Sequence, residues 1–187
     1  MQDVGKGLIE AAGRGESGAF RELYDRTSGY VYTLAWRVTG RKQDAEEVTQ
    51  DVFVKLHRSL GSFKFESSFK TWLYRVTMNT ALNHAKKRSR VSEREIGDED
   101  GDRAVAGPDA LRAVEAGETE LRLKAMLDRL NPDQRACIVL REIEGMDYQA
   151  IANALSVNLN TVRSRLKRAR EALMAMGKKE VTVHAMS

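Results

Sequence analysis

GMDYQAIANALSVNLNTVRSRLKRAREAL, residues 145–173, decides the fold class of this chain. Ile151, Ala152 and Leu155 recur at helical spacing, and so do Leu159, Val162, Leu166, Ala169 and Leu173. The spacing predicts two amphipathic helices, over 148–155 and 159–176, joined by the tight turn Leu155-Ser156-Val157. Asp147 and Asn158 stand where N-caps belong, because their side-chain oxygens can accept from the unpartnered N–H groups of a first helical turn. On the second helix Arg163, Ser164, Lys167, Arg168 and Arg170 lie away from the apolar stripe. A cation-rich helix set up by a short helix before it is built to lie in a DNA groove. Thr161 and Asn160 fall in its first turn, where a helix N-terminus approaches DNA. Arginine can fork to guanine O6 and N7, and Lys or Thr can hold phosphate. The competing reading is a solvated basic face on a structural hairpin, and the short helix and turn that precede it weigh against that.

Upstream, Asn131-Pro132 is a helix start, with Asn as N-cap and Pro at the first helical position. Ala136, Ile138, Val139, Leu140 and Ile143 continue that helix until Gly145 stops it. A further helix is expected from Glu118, carrying Leu121, Leu123, Met126, Leu127 and Leu130. Residues 91–117 differ in kind, with four glycines, many acids and little apolar content. They read as a connector without regular structure. Residues 93–120 hold ten acids against three arginines, a net charge of −7, although the whole chain of 187 residues carries +4. The run KKRSR at 86–90 is basic, and so is the C-terminal part. Two basic regions flank an acidic connector.

The N-terminal third shows a second set of helical stripes. Residues 3–15 are weakly helical and rich in glycine. From Ser17, Phe20, Leu23, Tyr24, Val31, Leu34, Ala35 and Val38 form one stripe, with a loosening expected near Ser28-Gly29 and a C-terminal glycine cap at Gly40. Asp44, Ala45, Glu46 and Glu47 open the next helix acids first, as the helix dipole prefers. Its apolar positions are Ala45, Val48, Val52, Phe53 and Leu56, with Leu60 near its end. Gly61 and Ser62 interrupt. After Phe63, Phe65 and Phe69 in a polar segment, Ser67 or Ser68 can cap a helix bearing Trp72, Leu73, Val76, Ala81 and Leu82. Trp72 and Leu73 are expected in the core. The 187-residue length, two prolines and 6% aromatic content fit helices better than a β-sandwich. The fold expected is all-α: two small helical domains over 1–90 and 118–187, joined by the flexible acidic linker 91–117. The tail GKKEVTVHAMS is expected to fray.

Residues 20–88, FRELYDRTSGYVYTLAWRVTGRKQDAEEVTQDVFVKLHRSLGSFKFESSFKTWLYRVTMNTALNHAKKR, resemble region 2 of bacterial sigma factors of the sigma-70 family, in particular the small extracytoplasmic-function (ECF) group. Residues 130–173, LNPDQRACIVLREIEGMDYQAIANALSVNLNTVRSRLKRAREAL, resemble region 4 of the same group. The two runs occur in the family's order and cover about three-fifths of the chain. Two positions depart from it: Ser156 and Asn160 stand where the family often has glycine. Asn tolerates capping and left-handed conformations. The chain has no room for the larger sigma factors' regions 1.1 and 3, and the acidic linker stands in place of the latter.

The resemblance implies an initiation factor that binds core RNA polymerase, through the β′ clamp helices and the β flap, and directs it to promoter DNA. The helix DAEEVTQDVF would meet the clamp helices, with Asp44, Glu47, Gln50 and Asp51 as contacts. The segment from Phe63 onward would melt and read the minus-ten element. Melting needs a cationic track and a pocket for an unstacked base. Lys64, Lys70, Arg75, Lys86, Lys87 and Arg88 would supply the track, and Phe63, Ser67, Ser68, Phe69, Asn79 and Asn83 the pocket. The minus-thirty-five element would be read by Thr161, Arg163, Ser164, Lys167 and Arg168, with Arg165 and Arg170 on the backbone. The linker would thread toward the polymerase cleft, and an anti-sigma partner is expected.

Other function classes find less support. A helix-turn-helix regulator acting without polymerase would need a sensor pocket, a phosphoacceptor or a dimerisation heptad, and none is evident. For an enzyme there is no glycine-rich phosphate loop, no metal-ligand spacing and no nucleophile elbow. His57, His84 and His184 lie far apart without evident partners. No catalytic residue, metal or cofactor is expected. Cys137, the single cysteine, lies among apolar residues and is expected to be a buried small hydrophobe. Gly5, Lys6 and Glu10 interrupt any signal-peptide core. No run approaches the roughly 20 apolar residues of a membrane span. A cytoplasmic protein without membrane insertion is expected.

Overall fold

The computed structural model describes residues 4–95 and 117–184, with side chains over 4–88 and 123–175. Every regular element among them is helical. The N-terminal group is α1 (Lys6–Gly13), α2 (Ser17–Thr39), α3 (Lys42–Ser59), a 3-10 turn (Leu60–Ser62) and α4 (Phe69–Glu95). Their stripes converge. Leu23, Val31, Leu34 and Val38 of α2 meet Val48, Val52 and Leu56 of α3, and Leu73 and Met78 of α4, all essentially without solvent exposure. Leu73 is core, as expected, whereas Trp72 is half-buried against Phe63.

Two details of α2 differ from the sequence reading. α2 is continuous through Ser28-Gly29. Buried Leu23 and Val31 anchor it on either side, and one interior glycine costs only about 1 kcal/mol. Tyr24 is 44% exposed rather than core, its ring lying over Phe53 with centroids 4.6 Å apart. The predicted cap does form: Gly40 turns left-handed at φ 74°, and its N–H donates to the Trp36 carbonyl at 2.8 Å.

α4 runs through KKRSR and on to Glu95, so the first residues of the expected linker are helical. The stretch 96–116 lies outside the described residues. The C-terminal group is α5 (Gly117–Asp128), α6 (Pro132–Ile138), a π-helical turn (Val139–Ile143), α7 (Tyr148–Leu155) and α8 (Leu159–His184). Asn131, Asp147 and Asn158 cap α6, α7 and α8, accepting from the N–H groups of Gln134, Ala150 and Thr161 at 2.9, 2.7 and 2.8 Å. In α5, Leu127 is buried and Met126 is 41% exposed; the side chain of Leu121 lies outside the described residues. Cys137 is fully buried, and burial pushes its thiol up to about 11.

The helix expected to run to Ile143 widens in its last turn. Glu144 N–H donates to the Val139 carbonyl at 3.1 Å, five residues back, and Gly145 at φ 68° ends the element. The tail also differs from expectation, because α8 continues to His184. Gly177 is a single weak interruption and no proline stands between it and His184.

The two helical groups pack on each other, α4 against α6 and α7, and α2 against α5 and α6. Arg135, only 7% exposed, donates to the Val38 carbonyl of α2 at 3.0 Å and to the Leu130 carbonyl at 3.2 Å. Gly40 is needed here for its lack of a side chain as well as for its φ. A Cβ would stand 2.5 Å from an Asp128 carboxylate oxygen and 2.9 Å from Arg135 Nη1.

Ser156 holds the turn between α7 and α8 at φ 54°, ψ 44°, the left-handed region. That conformation costs a side-chain-bearing residue about 1–2 kcal/mol, while glycine loses about 0.5–1 kcal/mol more backbone entropy on folding. Ser156→Gly is therefore expected to stabilise the chain by about 0.5 kcal/mol, read as a higher midpoint in urea unfolding.

Candidate nucleic-acid interface

α8 is seated by Val162, Leu166 and Ala169, which are buried against α6 and α7. That registration points Arg163, Ser164, Lys167 and Arg168 into solvent, with Thr161 half-buried at the start of the helix. Thr161 is fixed by its N–H and hydroxyl, both donating to Asn158 Oδ1 at 2.8 and 3.0 Å. Arg163 donates to Asn160 Oδ1 at 3.2 Å, so Asn160 braces the outer arginine. Among the described residues Lys167 reaches only Glu171, at 3.9 Å on the open surface. The other two arginines are turned elsewhere. Arg165 pairs with Asp133 at 3.2 Å, and Arg170 with Glu142 at 2.7 Å while also facing the Tyr148 hydroxyl. The helix thus separates an open polar face of Arg163, Ser164, Lys167 and Arg168 from two arginines engaged within their own helical group.

The N-terminal group presents an aromatic corner. Phe63 packs on Phe65 and Trp72 with centroids 4.7 and 5.0 Å apart, and on Phe69 at 6.2 Å. Phe69 is buried at 6% exposure, so it supports the corner rather than facing solvent. The exposed ring is Phe65, a residue the sequence reading left out of its site. It is 37% exposed and sits at φ 57°, a left-handed backbone that a bulky residue seldom adopts. Lys6 lies over its face at 5.0 Å. Nothing in KFESSFK marks Phe65 apart from Phe63, because the distinction arises from backbone conformation. Ser68 caps α4, accepting from the Thr71 N–H at 3.1 Å, which resolves the choice between Ser67 and Ser68.

Along α4, Lys70, Asn83, Lys86 and Lys87 are exposed, and Arg75, Asn79 and Arg88 are half-buried, as is Ser67 before the helix; Lys64 stands exposed in the loop. Lys70 lies 5.6 Å over the Tyr74 ring. Arg88 pairs with Asp44 at 2.8 Å, and Lys86 with Asp133 at 3.2 Å. On α3, Glu47, Gln50 and Asp51 are exposed, while burial raises the Asp44 carboxyl above its ordinary range. His84 does have partners, contrary to the sequence expectation: its ring nitrogens lie 2.8 Å from Asp51 and 3.9 Å from Glu47. Those contacts join residues 33 and 37 positions apart on neighbouring helices, which periodicity within one helix does not reveal.

Sigma-70 region 2 matches residues 23–91, and sigma-70 region 4 matches residues 120–173. The chain is 36% identical over 180 residues to the RNA polymerase sigma-H factor of Pseudomonas aeruginosa, covering 92% of this chain and 93% of that protein. It is 38% identical over 175 residues to the ECF RNA polymerase sigma-E factor of Haemophilus influenzae, covering 89% and 91%. This chain belongs to the sigma-70 family, in its ECF group. The solved complex of CnrH with the cytosolic domain of CnrY contains a chain similar to this sigma factor, at 27% identity, TM-score 0.62, and 92% and 96% coverage. A second similar fold, at TM-score 0.63 and 24% identity with 85% and 96% coverage, is that of RpoE from Bartonella quintana. Among the described residues of this sigma factor, no helix is long and apolar enough to cross a membrane.

The two kinds of cation on α8 separate in a stability measurement. Arg165→Ala removes a partly buried partner of Asp133 and is expected to lower unfolding stability by about 1 kcal/mol. Arg163→Ala and Lys167→Ala, on the open face, are expected to stay within about 0.5 kcal/mol of the parent in the same urea titration.

Proposed function

We propose that this sigma factor binds core RNA polymerase and directs it to a set of promoters, capturing unpaired bases to open them. It catalyses no reaction itself. The observation that carries the reading is the pair of separate surfaces: a cationic helix face on α8 and an aromatic, cation-flanked corner at the start of α4. Open cations with no close acidic partner among the described residues suit duplex DNA at the first; an exposed ring beside cations at the second suits a stacked base.

In this division of labour residues 1–90 bind polymerase and open the minus-ten element, residues 118–187 read the minus-thirty-five element, and 91–117 link them. On α8 the base-reading residues are Arg163, Ser164, Lys167 and Arg168, with Thr161 positioned at the groove edge by its cap. Arg165 and Arg170 would serve the phosphate backbone only after leaving their acidic partners. At the minus-ten surface Phe63 and Phe65 form the platform, Phe69 supports it from below, and Lys64, Lys70, Lys86 and Lys87 lie along the strand. Asn79 and Asn83, with Ser67 and Ser68, line the approach to the pocket, and Arg75 and Arg88 complete the track. Glu47, Gln50 and Asp51 on the open face of α3, with Asp44 beside them, meet the β′ clamp helices, and the C-terminal helices meet the β flap. An anti-sigma protein regulates it, in keeping with the similar CnrH chain solved with the CnrY cytosolic domain. The working compartment is the cytoplasm, where the polymerase is.

Transcription in vitro with core polymerase and a promoter library tests the whole reading, and the absence of any promoter-specific transcript would overturn it. At residue level, Arg163→Ala is expected to weaken promoter binding by holoenzyme about 10- to 100-fold, concentrated at particular base positions. Lys167→Ala is expected to weaken it about 10-fold, again concentrated at particular base positions. Both should leave affinity for core polymerase unchanged, whereas joint replacement of Gln50 and Asp51 should lower that affinity.

A further inference from the structure

The strongest feature outside these surfaces is where the two helical groups meet. Glu144, placed by the π-helical turn, reaches out of the C-terminal group into the N-terminal one. Its side chain is only 10% exposed. One carboxylate oxygen accepts from the Tyr30 hydroxyl of α2 at 2.9 Å and from the Tyr74 hydroxyl of α4. The other faces Arg37 Nη1 of α2 at 3.8 Å. Tyr74 is buried at 3% exposure, and the two tyrosine rings pack edge to face with centroids 5.6 Å apart. The receiving site is therefore built by the N-terminal group alone, from two hydroxyl donors and a guanidinium, and the C-terminal group supplies one carboxylate. Burial, with Glu144 adding to it, drives both phenol pKa values up, so both hydroxyls remain donors at any physiological pH.

A second contact ties closure to the DNA-facing cations. Lys86 Nζ of α4 and Arg165 Nη2 of α8 each lie 3.2 Å from the same oxygen of Asp133, so they are at most about 6.4 Å apart. The minus-ten and minus-thirty-five elements are about 25 base pairs apart, roughly 85 Å of duplex at about 3.4 Å per base pair. One molecule cannot place both sets of cations on both elements while they share a carboxylate.

We propose that Glu144, seated between Tyr30 and Tyr74, is an intramolecular latch that holds the free chain closed, so that the two DNA-facing surfaces part only when the latch opens. The functional consequence rests on the sigma-factor reading; the closure itself rests on these contacts alone. Hydrogen bonds to a charged group are the stronger ones, and removing the carboxylate deprives two partly buried hydroxyls and Arg37 of their partner. The closed-to-open ratio should therefore fall by roughly 10- to 100-fold in Glu144→Ala.

Small-angle X-ray scattering on the full chain, free of polymerase and DNA, tests this. The parent should scatter as the closed arrangement. Glu144→Ala and the double variant Tyr30→Phe/Tyr74→Phe should both show a larger radius of gyration at unchanged helix content by circular dichroism. Tyr30→Phe alone, the mildest change, should shift it in the same direction and keeps the test open if a stronger variant fails to fold. A parent already extended, or folded variants as compact as the parent, would overturn the latch. Neither result depends on transcription, and a failed transcription assay would leave the scattering result standing.

Discussion

Glu144 occupies the position on which the closed structure turns. Removing a carboxylate from water is unfavourable unless donors replace the lost hydration, and here two tyrosine hydroxyls and a nearby guanidinium do so. Because those donors come from α2 and α4, the carboxylate can leave water without penalty only while the helical groups are together. The same region makes two other demands. Arg135 is buried against the Val38 carbonyl near the C-terminus of α2, and Gly40 must lack a side chain so that Asp128 and Arg135 can approach. An interface built from charged groups with specific partners is directional in a way that apolar packing is not. It has one good arrangement, and a shifted packing that still excludes water leaves several groups without partners.

The arrangement also separates cations by task. Arg165, Arg170, Lys86 and Arg88 each have a carboxylate of the same chain within 3.2 Å. Arg163 and Arg168 face solvent on α8 without an acidic partner among the described residues, and Lys167 has only a long, exposed one. The more exposed of these pairs, Arg170 with Glu142 and Lys86 with Asp133, contribute little to stability, so on the proposed reading a phosphate can replace the acid where DNA approaches. On the proposed reading the acids act as placeholders that keep the cations compensated when no nucleic acid is present. The aromatic corner has a different economy: Phe65 holds an unfavourable backbone conformation, and such strain tends to be kept where exposure of a side chain serves binding.

Much of this was legible in the sequence. The stripes on α2, α3 and α4 located the N-terminal core, and Asn131, Asp147, Asn158 and Gly40 marked helix ends that form as expected. Caps and stripes depend on neighbours within a few residues, so a sequence displays them directly. The open face of α8, with Arg163, Ser164, Lys167 and Arg168, followed from the same periodicity once Val162, Leu166 and Ala169 were assigned inward. The misses have separate causes. Tyr24 was assigned to the core because spacing does not say where the stripe's edge meets solvent. α8 outran its expected end because one glycine is a weak terminator.

The sequence by itself determined that this chain is helical, that it has two cation-bearing groups, and that it belongs with the ECF sigma factors. Those conclusions rest on local periodicity and on long ordered motifs. Tertiary structure alone decided which cations are free and which are held, that Phe65 rather than Phe69 faces outward, and that Glu144 crosses from one group to the other. Each of these depends on contacts between residues distant in the chain: Tyr30 and Glu144 are 114 positions apart, and Arg135 and Val38 are 97. Helical periodicity carries information over three or four residues and none over a hundred, so such a contact becomes visible only when the chain has folded.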